Sequence, residues 1–232
     1  VKIIFIFLII FILCCILFAL YVMWIPCSSI LGNSICKVDT SEKLIFLTFD
    51  DGPGEETVQI LNVLKKENVS ALFFLVGDQV SLYPEILPQI VNEGHVLGVH
   101  ALYHTFLTRN NLAQITEMKL LLESKTTKPV LFFRPPYGFR TPTTMRVAKE
   151  NSLMTVLWSS FPRDYSSTTD QITRRVARSL QPGVIITLHD GPAGRTNTLD
   201  AVSIIIKNAR EQDYRFATAK EIETLMSMEL SS

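Results

Sequence analysis

Thr48-Phe-Asp-Asp-Gly-Pro53 is the stretch that decides the reading of this chain. The apolar run at 44–47 has the composition of a buried strand, so two adjacent carboxylates, Asp50 and Asp51, fall where that strand stops. A Gly-Pro turn then carries the chain away. Paired aspartates at a strand end can divide labour: one holds a metal, and its neighbour takes a proton from the attacking water. An isolated Asp-Asp-Gly is also an ordinary turn, and only the rest of the chain separates the two readings.

Outward from that stretch, short apolar runs alternate with segments of helical period, the pattern of β/α units. Val58, Leu61 and Leu64 mark a helix near 55–67. Further strands are expected at 69–76, 95–99, 130–133, 153–158 and 184–188, with a weaker one at 215–218. Between them a helix opens at Pro84 and closes before Gly94, and another is striped by Leu112, Ile115, Met118 and Leu122. Thr143 is the expected cap of a short helix ending at Glu150; later helices carry Ile172 and Val176, then Val202 and Ile205, and the last spans 220–228. Seven parallel strands can close as a barrel or lie open as a doubly wound sheet. The polar residues favour the barrel: Asp50, Asp51, His100, His104, Arg134, Asp164 and His189 all follow strands, and a barrel gathers those ends around one mouth.

Lys plus Arg and Asp plus Glu both number 22, so the net charge is zero and nothing favours nucleic acid as a partner. Residues 3–25 run without a charge or a proline, long enough as a helix to cross a bilayer. No small-residue cleavage pattern follows, which favours an uncleaved anchor over a signal peptide. Lys2 before the span places the following domain outside the cytoplasm; cleavage would make the protein secreted. The expected organisation is an anchor at 1–25, a linker at 26–43 and a catalytic domain at 44–232, acting as a monomer. Cys14 and Cys15 lie in the span; Cys27 and Cys36 in the linker either pair, in an oxidising compartment, or remain thiols. The domain has no cysteine, which excludes a thiol mechanism there.

His100 and His104 are four residues apart, a spacing that sets both imidazoles on one side of a helical turn; with one aspartate they would leave open positions on a divalent metal. Arg134 opens Arg-Pro-Pro-Tyr-Gly, where two prolines stiffen the loop and Pro135 restricts Arg134 itself. His189 ends a strand too apolar to be exposed and should point into the mouth. Spaced histidines and Pro-rich turns are each common as structural features. Three of the chain's four histidines at strand ends are not.

In this combination the motifs resemble those of the polysaccharide deacetylases with a NodB-type domain, the fourth carbohydrate esterase family, over residues 44–225. The resemblance implies a deformed (β/α) barrel and metal-dependent removal of acetyl groups, mostly N-acetyl, from glycans. It implies that Asp51, His100 and His104 hold the metal, usually zinc, and that Asp50 is the general base, oriented by Arg134. By the same resemblance the backbone N–H of Tyr137 helps hold the oxyanion and His189 is the general acid. Leu188 would line the acetyl pocket, with Trp158, Tyr165 and Pro135 as further substrate contacts. The implied partners are an extracytoplasmic N-acetylglucosamine polymer, either peptidoglycan or chitin-like, and the membrane.

Three positions depart from the family pattern. Ala101 replaces a common Ser or Thr, and Tyr165 a common Trp. Phe161 stands where many members carry an aspartate that tunes the catalytic histidine, which leaves His189 under-supported unless Asp164 or Asp190 substitutes. The competing readings are a glycan-binding module that has lost turnover, a deacetylase of an O-acetylated polysaccharide, and an iron oxygenase on the same two histidines and one carboxylate.

Overall fold

The structure is a computed structural model that describes residues 2–28 and 30–228. Val1 of the expected anchor, Ser29 of the expected linker and residues 229–232 of the expected domain lie outside the described residues. In chain order the elements are α1 (Lys2–Trp24), β1 (Ser34–Ile35), β2 (Leu44–Asp50), α2 (Thr57–Lys66), β3 (Leu72–Val76), α3 (Gly77–Leu82) and α4 (Ile86–Asn92). They continue with β4 (Val96–Ala101), α5 (Ala113–Thr126), β5 (Phe132–Phe133), α6 (Pro142–Glu150), β6 (Met154–Val156), α7 (Thr169–Ser179), β7 (Ile185–His189), α8 (Thr196–Arg210), β8 (Arg215–Phe216) and α9 (Ala219–Met228).

Strands run parallel in the order β1-β6-β5-β4-β3-β2-β7, with β8 paired to the start of β2. Seven of them thus curl into a half-barrel. Its open side is narrowed where Ser160, beyond β6, bridges Ile186 of β7. β2 shows how one strand serves both faces. Ile45, Leu47 and Phe49 join the cluster that carries the helices, while Leu44 and Phe46 join the inner cluster. Continuing that alternation, Thr48 and Asp50 point inward. Both neighbours of β2 are strands, which leaves it buried throughout.

Several local expectations change. The seventh strand of the main sheet is β1, inside the segment read as a linker; it pairs with β6, and Ile35 and Val38 are buried in the inner cluster. Its two residues carry no period to read. The same segment holds a Cys27–Cys36 disulfide. α6 is capped by Thr141 rather than Thr143, because Pro142 takes the first helical position and the Thr141 hydroxyl accepts from Thr144 N–H. The 84–94 helix is α4, and an unforeseen α3 precedes it; Tyr83, before Pro84, leaves the helical region as that placement demands. α7 opens with a reciprocal capping box between Thr168 and Gln171.

Candidate active site

Asp50 and His189 end adjacent strands and are direct partners in the β2–β7 ladder, so one register fixes the spacing of the expected base and acid. Asp51 follows with φ of 71°, a left-handed conformation uncommon for a residue with a side chain. That twist turns its carboxylate toward the two histidines. Asp51 Oδ1 lies 3.2 Å from both His100 Nε2 and His104 Nε2.

The histidines do not share a helical turn. His100 belongs to β4, and the chain bends at 102–105 to bring His104 back beside it. The rings are 5.1 Å apart. His100 Nδ1 is 2.6 Å from the Arg134 carbonyl oxygen, which leaves Nε2 as the atom that could ligate a metal. Asp51 Oδ1 is buried without a hydrogen-bond donor. An orphaned carboxylate oxygen converging with two imidazole nitrogens fits a divalent cation. Burial raises the Asp51 pKa, but the surrounding imidazoles of His100, His189 and His104 outweigh it and lower the value to about 2. Burial and His100 push His104 down from its ordinary value, favouring the neutral ring that ligates.

Arg134 is fully buried and spends its whole guanidinium on this face. Nη1 donates to Asp50 Oδ1 at 2.6 Å and Thr48 Oγ1 at 2.7 Å, Nε to the Val156 carbonyl at 3.0 Å and Nη2 to the Leu157 carbonyl at 2.8 Å. Burial lowers its pKa against the opposing pull of Asp50. Phe74 stacks on the guanidinium at 4.1 Å. Thr48 was not singled out in the sequence, although the inward phase shared by Thr48 and Asp50 carries the signal.

His189 finds its carboxylate in Asp164. Nδ1 is 2.7 Å from Asp164 Oδ1, while Oδ2 accepts from His189 N–H and from the Thr198 hydroxyl, both at 2.8 Å. Burial alone would lower the imidazole pKa; the hydrogen bond and charge of Asp164, with Asp50 and Asp51, raise it to about 9. Phe161 therefore does not leave the histidine without a counter-charge. Its ring lies 6.1 Å from His189 and stacks on Trp158 at 4.9 Å. Asp190 faces away, toward the Thr57 hydroxyl at 2.7 Å, and complete burial raises its pKa to about 7.

Tyr137 sits in a 3-10 turn, Pro136–Gly138, with φ of 61°. Its ring meets His104 at 4.4 Å and its hydroxyl donates to the His104 carbonyl at 3.3 Å. Gly138 has φ of 68°, and a Cβ there would come within 2.5 Å of Trp158. Gly138→Ala should therefore cost about 1–3 kcal/mol of stability and displace the Tyr137 turn. Thermal melts and kcat read both; an unchanged melting temperature with unchanged kcat would show that the turn is not so tightly fitted.

Two expected substrate contacts are placed elsewhere. Leu188 is fully buried in the cluster beneath the helices, because it falls on the outward phase of β7. Pro135 is buried too and serves to constrain Arg134. Tyr165 is exposed, with its ring 5.7 Å from His189, and Trp158 is half-buried.

Residues 37–156 match the family model for polysaccharide deacetylase. The chain is 34% identical over 199 residues to a peptidoglycan-N-acetylglucosamine deacetylase of Bacillus cereus, covering 82% of this chain and 93% of that one. It is 36% identical over 197 residues to the peptidoglycan-N-acetylmuramic acid deacetylase PdaC of Bacillus subtilis, covering 80% of this chain and 40% of PdaC. The fold superposes with a TM-score of 0.76 on the peptidoglycan N-acetylglucosamine deacetylase Bc1960, at 33% identity over 80% of this chain and 90% of that one. With a TM-score of 0.73 it also resembles BA3943 of Bacillus anthracis, described as a pseudoenzyme of the fourth carbohydrate esterase family; identity is 27%, over 79% of this chain and 66% of that one.

Proposed function

We propose, from the premise that the chain belongs to the polysaccharide deacetylase family, that it removes N-acetyl groups from an N-acetylglucosamine polymer outside the cytoplasm. Peptidoglycan is the substrate favoured by its relatives' names. As a family member it is a hydrolase of carbon–nitrogen bonds, and the family's metal dependence agrees with the Asp51, His100 and His104 cluster. α1 has a span, Phe5–Val22, long and apolar enough to cross a membrane, and we read it as an anchor for a monomer.

The convergence of that cluster with a held base and a held acid carries the proposal. A divalent ion bound there, zinc in our reading, would polarise the acetyl carbonyl and acidify the attacking water. Asp50, ion-paired to Arg134 and inward-facing, takes the water's proton. The backbone N–H of Tyr137 would help hold the oxyanion. His189, charged at neutral pH through Asp164, gives its proton to the departing amine nitrogen. Tyr165 and Trp158 offer aromatic walls to the sugar.

A binding module without turnover is the other reading, given weight by the resemblance to a pseudoenzyme. The intact Asp50–Arg134 and His189–Asp164 pairs argue for catalysis. Acetate release by the full chain in detergent, on peptidoglycan, chitin oligomers and an O-acetylated xylan, separates the cases. We expect N-linked acetate that disappears with chelator and returns with Zn²⁺. Glycan binding without acetate, with metal stoichiometrically bound, would overturn the proposal; acetate from the O-acetylated polymer alone would correct the bond cleaved.

A further inference from the structure

The end of α1 is fastened to the catalytic face. Arg140 closes the loop that begins at Arg134, and its side chain is fully buried. Nη2 donates to the carbonyls of Val22, at 3.3 Å, and Ile25; Nη1 donates to the Ser28 carbonyl and the Ser34 hydroxyl, both at 2.8 Å. Carbonyls at a helix C-terminus lack intrahelical partners and favour a cation, so Arg140 acts as the cap of α1. Trp24 packs on Phe139 at 5.4 Å and Phe106 at 6.3 Å. Phe106 stacks on Tyr137 at 4.4 Å, and Tyr137 touches the metal-site residue His104 at 4.4 Å. The chain leaving the helix is fastened again by the Cys27–Cys36 disulfide and by β1 on β6.

These attachments change the reach of the enzyme. Free and extended, an 18-residue linker at 26–43 would let the domain stand up to about 60 Å from the bilayer. Fastened as it is, it gives no such reach. Within the span Phe5–Val22 the described large side chains are about half exposed, as lipid-facing groups are, whereas Val22 is buried against the domain. Trp24 stands at the boundary, where indole rings favour the interface. Three ring contacts lead from it to the active-site mouth.

We infer that this mouth is held at the bilayer surface and that the substrate is an N-acetylglucosamine chain still carried on a lipid, presented beside the headgroups. The inference rests on the deacetylase reading and on α1 crossing a bilayer. Its test uses the full chain in phospholipid vesicles and one N-acetylglucosamine tetramer, supplied free, joined to a lipid directly, or joined through a long polyethylene glycol spacer. The directly joined tetramer should give a kcat/KM at least tenfold above that of the spaced one, and Arg140→Met should erase this difference. Equal use of short and long spacers by the wild-type chain would overturn the inference, since surface enrichment alone favours both. A second readout needs no turnover: with Cys14→Ser and Cys15→Ser, a fluorophore on Phe106→Cys should be quenched by headgroup-borne quenchers. Quenching without acetate release from any tetramer would refute the deacetylase reading and with it the substrate, while leaving the placement standing. An unquenched label would refute the placement itself.

Discussion

Asp50→Asn lowers kcat for acetate release by about 10³-fold, near 4 kcal/mol of barrier, while the bound metal stays stoichiometric. Asparagine keeps the shape and can still accept from Arg134, but it cannot take the proton of water. The substitution also removes the carboxylate that faces a fully buried guanidinium. Arg134 would keep Thr48 and the carbonyls of Val156 and Leu157, so its hydrogen bonds survive but its counter-charge does not. Removing one partner of a buried pair commonly costs about 3–5 kcal/mol, and a lower melting temperature should accompany the kinetic loss. Metal content separates the base from a ligand: Asp51→Asn should release the ion, and Asp50→Asn should not. A variant that kept kcat within tenfold would reassign the base.

How legible this site was depended on whether its signal was local. The inward phase of Thr48 and Asp50 is written in the alternation of β2, and the carboxyl-end positions of His100, Arg134 and His189 follow from the β/α pattern. Barrel-like curvature was therefore predictable from polar residues more than from apolar ones. β1 was not, because two residues have no period and their pairing with β6 spans more than a hundred positions. The His100–His104 spacing fitted a helix as well as it fitted a strand end followed by a bend; only the ladder of β4 on β3 excludes the former. Arg140 was invisible for a different reason. Its partners are the carbonyls of Val22, Ile25 and Ser28, which leave no trace in a sequence, and the hydroxyl of Ser34, more than a hundred positions away. Asp164 stood between the two cases: it was named with Asp190 as a substitute for a missing carboxylate, but the choice needed Thr198 and the β7 backbone to hold it.

That choice carries the second large effect. Asp164→Asn should cut activity at pH 8 by about 10²-fold while changing it far less at pH 5.5. In the wild-type chain His189 has a pKa of about 9, so the acid is loaded through neutrality and activity falls as pH rises through 9. Without the Asp164 charge, burial is the dominant influence, and it disfavours the imidazolium. The alkaline limb then moves to or below the ordinary histidine value of 6.5. Stability follows the same sign. A folded-state pKa above the unfolded one contributes stabilisation that is full below pH 6.5 and is lost as pH rises through 9. The variant should lose that contribution, so the gap between its melting temperature and the wild type's should be widest at pH 6 and narrow by pH 10. Thr198→Ala, which removes one donor to Asp164 Oδ2 and leaves the charge, should keep the limb near its wild-type position. An Asp164→Asn enzyme with an unshifted limb would mean that Asp50 and Asp51 alone keep His189 charged, and Asp164 would then be a scaffold for the β7 backbone instead of the partner of the acid.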